Sequence, residues 1–586
     1  MLSYKKQIWI ASISLIILMV PLYLGLLGDY LIKGHDAMAA LVRAIYMQQY
    51  IGDGQLLPRW ASDLNFGYGS PMFNFYPPFF SFVTVLFSKI TQDTVGAMNL
   101  TCVVFWVLSG IGMYLFAGEL WGNKGGFLSA IAYVYSPYYI QDFYVRGAFA
   151  EFGIFVFIPF LFLSFYKVNQ RIQRRYILLG VISTFASILT HFMSIFFFLI
   201  ASCYIVFLFF LNKNRHGLVW SLLILGTGIL MSAFFWFPAL VENKFLNLNF
   251  LISMRYDFHK NFISLVQLFR LPWDHQTDTD GISFQIGFIH LFLVLVPLGV
   301  LLNNFTKNQL SKFSVLRPTG PVRDGGAPSR FAKEGAFHYF FFLLVGLMAA
   351  FFTLPPSYIL WEKVSLLRFV QLPWRFLTVI VFSVSLLAGS FMVMFRNETV
   401  RNFVLAMVVF FIIFSSLRFL WPANFSLVDQ VAIKKNISNY VFLGEGERTP
   451  KWILLPPLGP PSQKFEFLQG KGHFSKYSSI SSIEDTVQVH ANQDSLVCFH
   501  SFYFPGWRVF IDGKETQIYP NSPYGVILFI VPSGNHMLRA VFGPTIDRIF
   551  GVVVSWGGVG LLIVLMFFRR KRIISAKAVK INKEIS

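Results

Sequence analysis

The sequence has few charged residues for its length. Only 13% of its 586 residues are Asp, Glu, Lys or Arg, whereas 55% are hydrophobic and the mean hydropathy is +0.59. Soluble globular proteins carry about 25% charged residues, so most of this chain's surface is expected to face lipid. The net charge of +20 alone would suggest nucleic acid, but the basic residues lie mainly in short loops between apolar runs. That distribution is typical of membrane topology, so we expect membrane lipids and no nucleic acid as partners.

Cysteines and the common motifs of soluble enzymes are also scarce. The three cysteines, Cys102, Cys203 and Cys498, are too few and too scattered for a disulfide framework or a metal knuckle. The sequence contains no Walker A motif, no GxGxxG after a strand, no GxSxG and no HExxH. It therefore gives no basis for a nucleotide-binding enzyme, a serine hydrolase or a zinc protease, and no metal-ligand set is assigned.

Long apolar runs predict a polytopic α-helical membrane protein with about twelve transmembrane helices, because each crossing needs about 20 largely apolar residues. The predicted spans are 8–28, 97–117, 126–141, 152–167, 176–190, 191–211, 218–240, 286–303, 337–353, 374–395, 402–420 and 548–568. The apolar run 78–90 is left out because it is short for a span. Were it to cross, the four basic residues of 167–176 would lie outside the cell, against the positive-inside rule.

This arrangement predicts a multi-pass protein of the plasma membrane with cytoplasmic N- and C-termini. Residues 1–420 form the transmembrane domain, with an outward-facing catalytic loop at 29–96. Residues 421–547 contain short apolar runs and turn signals, and they predict a small extracytoplasmic β domain that resembles a sandwich. The last helix, 548–568, and a basic cytoplasmic tail, 569–586, complete the chain.

The first outer loop carries the leading candidate for chemistry. Asp36 follows His35 and opens an amphipathic helix, where it is either an N-cap or a catalytic carboxylate. Arg43 is seven residues further on, and its alternatives are a substrate contact or a side chain that snorkels to lipid headgroups. Arg59 is a third candidate for substrate binding.

Further candidates come from the other outer loops. Arg146 lies between Asp142 and Glu151, where an ion pair with either acid is the structural alternative to a substrate contact. His191, between two apolar runs, is either a hydrogen-bonded structural residue or a substrate-binding residue on the side of Asp36. Arg375, at the outer mouth of a helix, breaks the positive-inside trend, which indicates an anionic ligand or a lipid phosphate.

Several stretches resemble known membrane proteins. An acidic residue in the first outer loop, a second acidic motif and a C-terminal outer domain resemble the GT-C glycosyltransferase superfamily. GHDAMAALVRAIYM, GQLLPRWASDLNFGYGSPMFNFYPP and YVRGAFAE are similar to bacterial integral-membrane proteins labelled 6-pyruvoyl-tetrahydropterin-synthase-related. PGWRVFIDGK and VPSGNHMLRAVF are similar to the C-terminal part of YfhO-type membrane proteins. GT-C enzymes often carry paired acids in the first loop, where this chain has His35 and Asp36.

The resemblance implies transfer of a sugar from a polyprenyl-phosphate donor to a glycan, lipid or protein acceptor on the extracytoplasmic face. Asp36 and Glu151 would be catalytic, and the substrate-binding residues would be His35, Arg43, Arg59, Arg146, His191 and Arg375. Glu151 would position the acceptor or bind a divalent cation such as Mg²⁺ or Mn²⁺, and the cofactor is left open.

Two other function classes remain as alternatives. A transporter or flippase of lipid-linked glycans would have a polar path through the bilayer, whereas the polar residues here cluster at one face. A non-enzymatic cell-envelope assembly protein would act through its β domain.

Overall fold

The computed structural model describes residues 4–28, 30–247, 257–270, 281–306, 328–368, 370–420, 425–429, 433, 449–521 and 523–567. Within these residues, seven helices are long and apolar enough to cross a membrane, and nine if each of two bent helix pairs is a single span. The chain is therefore a polytopic helical membrane protein, as predicted, whereas the count of about twelve spans stays a prediction. The predicted tail 569–586 lies outside the described residues.

The helices cover most of the first 420 residues and recur once near the C-terminus. They are α1 (Tyr4–Leu18), α2 (Val20–Tyr23), α3 (Ala37–Gly52), α4 (Met72–Phe75), α5 (Phe79–Thr91), α6 (Thr94–Val134), α7 (Pro137–Tyr144), α8 (Phe149–Gln170), α9 (Arg174–Thr190), α10 (Ser194–Asn212), α11 (Arg215–Met231), α12 (Ala233–Glu242), α13 (Leu265–Leu268), α14 (Phe288–Thr306), α15 (Pro328–Thr353), α16 (Tyr358–Lys363), α17 (Ser365–Arg368), α18 (Leu377–Ala388), α19 (Glu398–Leu417) and α20 (Ile546–Phe567).

Helix α6 is a hairpin rather than one long rod. Gly122 has φ 76° and ψ 169°, a conformation that glycine adopts without strain, and the chain reverses there. On the returning arm, a Cβ added at Gly126 would lie 2.6 Å from the carbonyl oxygen of Tyr114 and 2.8 Å from Gly118 Cα. Small residues therefore let the two arms touch, as is common between membrane helices.

The helices differ in how deeply they lie in the bundle. The most apolar windows of Phe149–Gln170 and Pro373–Met394 are 89% and 94% buried, whereas those of α19 and α20 are 17% and 22% buried. Helices α8 and α18 are thus central, and α19 and α20 present apolar side chains outward, as lipid-facing helices do. The central helices are the ones that carry Glu151 and, next to α18, Arg375.

The segment that follows the first span is paired with the segment that follows α19. Strand β1 (Tyr30–Ile32) pairs antiparallel with β2 (Phe425–Leu427), which follows α19. The Asn99 side chain donates hydrogen bonds of 3.0 Å to the carbonyl oxygens of Gly28 and Tyr30. Helix α5 packs along the start of α6, with ring contacts between Phe80 and Phe105 at 6.0 Å.

A β region precedes the last helix. Its strands are β3 (Phe465–Gln469), β4 (Gly472–Ser481), β5 (Glu484–Ala491), β6 (Ser495–Phe502), β7 (Trp507–Ile511), β8 (Lys514–Thr516), β9 (Tyr519–Asn521), β10 (Val526–Val531) and β11 (Gly534–Phe542). They form a four-stranded sheet, β3-β6-β10-β9, and a five-stranded sheet, β4-β5-β11-β7-β8. Strand β5 alternates half-buried and buried residues along its whole length, as expected when one face covers a core.

The core of the β region includes residues of the first outer loop. Trp60 contacts Trp507 at 5.6 Å and Phe542 at 5.1 Å between ring centres. Tyr68 stacks on Phe502 at 5.2 Å, and its carbonyl oxygen accepts a 2.8 Å hydrogen bond from the Phe502 amide. The predicted division between a loop at 29–96 and a β domain at 421–547 therefore does not follow the packing, because the loop supplies part of the β core.

Candidate functional site

A buried ionic cluster lies where α7, α8 and the segment before α18 meet. The Arg146 guanidinium forms salt bridges through Nη1 with Asp142 Oδ1 and, at 2.7 Å, with Glu151 Oε2. Asp142 is 0% and Glu151 1% exposed. Helical spacing explains the first pair, since Asp142 is four residues before Arg146. Arg146 therefore pairs with both acids, where the sequence left open which one it would choose.

Glu151 is held from several directions. Its Oε1 accepts hydrogen bonds from the Tyr138 hydroxyl at 2.7 Å and the Thr378 hydroxyl at 3.2 Å. Its Oε2 is 3.5 Å from Arg375 Nε, in addition to the contact with Arg146. A carboxylate with this many buried partners is fixed in place, and it orients the two guanidinium groups.

Arg375 is fixed by the turn that precedes α18. Its Nη1 donates to the Val370 carbonyl oxygen at 2.8 Å and to Gln371 Oε1 at 3.1 Å. Gln371 has φ 66°, an unusual conformation for a residue other than glycine. Arg375 Nε makes no hydrogen bond to any described residue. This atom is itself buried and lies 3.5 Å from Glu151 Oε2, so its contact is the ion pair with Glu151.

Neighbouring carboxylates keep Arg146 charged. Burial would lower the pKa of Arg146, but the nearby carboxylates of Glu151 and Asp142 raise it above its ordinary value, and Asp36 adds to this. Arg146 therefore stays charged, and its guanidinium also lies 4.6 Å above the Trp374 ring.

Asp36 lies at the solvent-facing side of this cluster. Its backbone N–H donates a 2.7 Å hydrogen bond to the Arg146 carbonyl oxygen, and that of His35 donates a 3.2 Å bond to Val145. Asp36 occupies the N-cap position of α3, yet its side chain makes no capping hydrogen bond. The side chains of His35 and Asp36 are exposed. The Asp36 carboxylate is thus accessible and lies within electrostatic reach of a buried arginine.

His191 belongs to the same neighbourhood. It is 8% exposed and follows α9 directly, and its Nδ1 accepts a 3.3 Å hydrogen bond from the Met193 backbone N–H. That bond needs a lone pair on Nδ1, so the imidazole is neutral. Phe192, beside it, lies 5.1 Å below the Arg375 guanidinium. His191 therefore lies close to the cluster, and its role in substrate binding stays a prediction.

Arg43 does not share the exposed surface of Asp36. It is 6% exposed, and its guanidinium lies 3.8 Å above the Tyr76 ring. The spacing of seven residues placed it near the helical face of Asp36, but α3 buries that part of its surface against the bundle. Its contact with Tyr76 connects α3 to the irregular segment before α5.

Arg59 contacts a different cluster from the one around Glu151. Its Nη1 donates to Asn74 Oδ1 at 3.2 Å, and its Nη2 to the Phe234 carbonyl oxygen. Burial and the neighbouring Arg548 lower the pKa of Arg59 to about 10, while Glu242 raises it. Glu242 also accepts a 3.0 Å hydrogen bond from Arg548 Nη2. Arg59 therefore joins the first outer loop to α12, and its proposed substrate contact is not supported by this geometry.

Three partners of the cluster were not assigned a role from the sequence. Tyr138 and Thr378 hold Glu151, and Trp374 covers Arg146. Thr378 lies three residues after Arg375, and this helical spacing is the one sequence signal that would have placed it beside Arg375. Tyr138 and Trp374 lie in aromatic-rich stretches where single rings carry no such signal.

The acid pair does not fit a divalent cation as it stands. A guanidinium nitrogen of Arg146 lies between Asp142 and Glu151 and takes the place that a cation would need. Among the described residues, no group of three or more His, Cys, Asp and Glu side chains is arranged to hold a metal ion. Asp142 Oδ2 has no hydrogen-bond partner in the described part of the chain, so it can accept a hydrogen bond from a hydroxyl group or a water molecule.

Comparisons with known proteins give one family and several remote structures. The family model described as "6-pyruvoyl-tetrahydropterin synthase related domain; membrane protein" matches residues 73–422. None of the curated proteins matches the sequence.

Two kinds of solved structure are similar to this chain. The archaeal oligosaccharyltransferase AglB from Archaeoglobus fulgidus, solved with an inhibitory peptide and a dolichol-phosphate, shows 12% identity over 71% of this chain and 56% of its own, with a TM-score of 0.39. The arabinofuranosyltransferase AftD from Mycobacteria shows 13% identity over 72% of this chain and 27% of its own, with a TM-score of 0.42. The chain thus spans about half the length of the first and about a quarter of the second.

Proposed function

The chain belongs to the family of 6-pyruvoyl-tetrahydropterin synthase related membrane proteins, and we propose that it is a GT-C-type glycosyltransferase. It moves a sugar from a polyprenyl-phosphate-linked donor to a glycan, lipid or protein acceptor on the extracytoplasmic face of the plasma membrane. The observation that carries the proposal is the attachment of the exposed Asp36 to Arg146, which is itself held by two buried carboxylates.

The topology that we propose puts this cluster at the outer face. Near the opposite end of the bundle, the Asn123 side chain donates a 2.7 Å hydrogen bond to Gln7 Oε1, close to the N-terminus. Lys124 and Lys167 form ion pairs there with Glu398 and Glu119. Basic residues are typical of the cytoplasmic side, so both termini are cytoplasmic and Asp36 is outside. We expect about twelve crossings if the α6 hairpin counts as two passes and the shorter helices α9 and α14 also cross.

In the proposed reaction, Asp36 is the general base. Its carboxylate takes the proton of the acceptor hydroxyl as that oxygen bonds to the anomeric carbon of the sugar. The bond from this carbon to the phosphate oxygen breaks, and the polyprenyl phosphate leaves with the electron pair. Proton transfer of this kind contributes about 10²–10⁴-fold in rate. Exposure suits Asp36 to this role, because an acceptor arrives from outside the bundle.

The arginines of the cluster, Arg146 and Arg375, stabilise the leaving phosphate. Arg146 Nη1 is shared between Asp142 and Glu151, and Arg375 Nε lies 3.5 Å from Glu151 Oε2. Glu151 is buried and fixed by Tyr138 and Thr378, so its role is to orient the guanidinium groups rather than to touch the acceptor. Preorganised donors of this kind stabilise charge that develops in the transition state.

The test is turnover of a lipid-linked donor by the purified protein in liposomes. Polyprenyl-phosphate-linked sugars extracted from membranes are added, and mass spectrometry follows both donor and products. A glycosyltransferase releases polyprenyl phosphate and forms a glycosylated acceptor. A flippase changes the leaflet of the donor and breaks no bond, and an assembly protein leaves the donor unchanged. Either of these last results would overturn the proposal.

A further inference from the structure

An apolar loop projects from the β region at residues 452–461, which read WILLPPLGPP. We call it the leucine loop. Leu454, Leu455 and Leu458 are 66%, 54% and 99% exposed. Three neighbouring leucines exposed to this extent are costly in water, and exposed apolar patches usually mark a contact surface.

The leucine loop is fastened beside the membrane helices. The Lys451 backbone N–H donates a 2.9 Å hydrogen bond to the Phe245 carbonyl oxygen, and the Trp452 ring stacks on Phe245 at 5.9 Å. Phe245 follows α12, which packs against α20 through a ring contact of 4.9 Å between Phe237 and Phe550.

The first turn of α20 already carries exposed apolar side chains. Ile546 is 85% exposed, and Phe550, one turn further along, is 52% exposed. Glu242, three residues before Phe245, accepts hydrogen bonds from Thr545 and Arg548 at the start of α20. The leucine loop is therefore attached close to the point where the lipid-facing surface of α20 begins.

Two lysines accompany the aromatic rings at this level. Lys244 Nζ and Lys451 Nζ lie 5.2 and 5.3 Å from the centre of the Phe245 ring, and both residues are exposed. Aromatic rings with neighbouring basic groups are typical of the membrane–water interface. Basic side chains there attract anionic lipid headgroups.

We propose that the leucine loop inserts into the leaflet next to the β region. Leu454, Leu455 and Leu458 enter the boundary between headgroups and acyl chains, while Lys244 and Lys451 bind anionic phospholipid headgroups. The β region is thereby held against the bilayer at a second point besides α20. This inference does not depend on the chemistry proposed for Asp36.

The test uses the full chain with a nitroxide label at Leu458→Cys, in a background in which the exposed Cys203 is replaced by alanine. The two other cysteines are buried. The protein is placed in nanodiscs of phosphatidylcholine with phosphatidylglycerol, and collision with oxygen is compared with collision with a water-soluble nickel complex. The matched control is Ile480→Cys, at a residue of β4 that is 60% exposed.

The label at 458 is expected to be severalfold more accessible to oxygen than to nickel, and the label at 480 to show the reverse. A label at 458 that is as accessible to nickel as the label at 480 would overturn the proposal. For the headgroup contact, phosphatidylglycerol is expected to deepen the label relative to phosphatidylcholine alone. Lys244→Gln with Lys451→Gln should abolish that difference, and equal depth in both lipids for the unmodified lysines would overturn the anionic contact.

Discussion

The backbone N–H of Asp36 donates a 2.7 Å hydrogen bond to the carbonyl oxygen of Arg146. This bond joins an exposed carboxylate at the start of α3 to the loop between α7 and α8. The two residues are more than a hundred positions apart in the sequence, and the proposed reaction needs them side by side. The predictions below test this juxtaposition and the packing that maintains it.

The first prediction concerns the close approach of Gly34 to Gly147. A Cβ at position 34 would lie 2.6 Å from the Gly147 amide nitrogen and 2.8 Å from its Cα. Gly34→Ala should push the two loops apart and move Asp36 away from Arg146. Displacement of about 1 Å from a productive geometry costs up to about 10²-fold in rate, so donor turnover should fall by a similar factor.

Gly52→Ala is the matched control, because a Cβ there meets nothing within 4 Å and the residue ends the same helix. It should leave turnover unchanged. Turnover by Gly34→Ala at the wild-type rate would show that the position of Asp36 relative to Arg146 is not needed.

A second prediction separates buried from exposed ion pairs. Glu151→Gln removes the buried carboxylate that pairs with both Arg146 and Arg375, and breaking a buried network costs about 3–5 kcal/mol. Glu398→Gln is the control, since Glu398 also pairs with two cations, Lys124 and Arg401, but its side chain is 62% exposed. It should cost at most about 1 kcal/mol.

Thermal unfolding of both variants in one detergent gives the comparison. The midpoint temperature should fall clearly further for Glu151→Gln than for Glu398→Gln. Equal shifts would mean that the buried cluster contributes no more to folding than a surface pair does.

The third prediction concerns the contribution of the first outer loop to the β core. Trp60 is 1% exposed against Trp507 and Phe542, and removing a buried tryptophan costs about 3–5 kcal/mol. Trp60→Ala should therefore speed hydrogen exchange in strands β7 and β11, which contain Trp507 and Phe542. Trp9→Ala, at a tryptophan that is 69% exposed on the first helix, should leave that exchange unchanged. Unaltered exchange in Trp60→Ala would argue that the loop only rests on the β region.

A pH-dependent contact is the fourth prediction. His259 Nδ1 contacts Asp257 Oδ1, and its Nε2 lies 2.7 Å from Glu362 Oε1. The hydrogen bond to Asp257 is the main cause that raises the pKa of His259 above its ordinary value of 6.5. The protonated form is therefore favoured in the folded chain. Its contribution is fully present below pH 6.5 and is lost as the pH rises through the raised pKa.

Proteolysis near residues 257–260 should accordingly become faster as the pH rises from acidic to mildly alkaline values. His259→Gln cannot be protonated and should show the fast cleavage at every pH. A wild-type cleavage rate that does not change with pH would contradict the protonated contact.

Much of the fold could be predicted from the sequence, because membrane helices and strands carry strong local signals. The family resemblance is confirmed by the match over 73–422. The short apolar runs 497–504, 507–512, 524–531 and 536–542, which predict strands, overlap β6, β7, β10 and β11. The Gly122 reversal separates the predicted spans 97–117 and 126–141. Local signals cannot show that Trp60 and Tyr68 complete the β core, because that contact joins distant parts of the chain.

The candidate site was predictable in composition but not in detail. Loop topology brought Arg146, Glu151, His191 and Arg375 to one end, and the structure joins Glu151 to both arginines. Arg59 carries the same charge as Arg146 and Arg375, so the sequence made it an equal candidate for substrate binding. Its partners are instead Asn74 and the Phe234 carbonyl oxygen. Which of several basic loop residues share a cluster depends on packing between distant helices, and spacing along the chain does not encode it.

The most direct measurement of the central claim is the rate at which Asp36→Asn releases polyprenyl phosphate from a lipid-linked sugar donor, compared with wild type and Asp53→Asn. Asp53 is an exposed acid at the other end of α3, so it controls for loss of charge on the same helix. Loss of a general base predicts a rate about 10²–10⁴-fold lower for Asp36→Asn, with Asp53→Asn at the wild-type rate and all three proteins equally stable. Release by Asp36→Asn at the wild-type rate would contradict the assignment of Asp36 as the catalytic base.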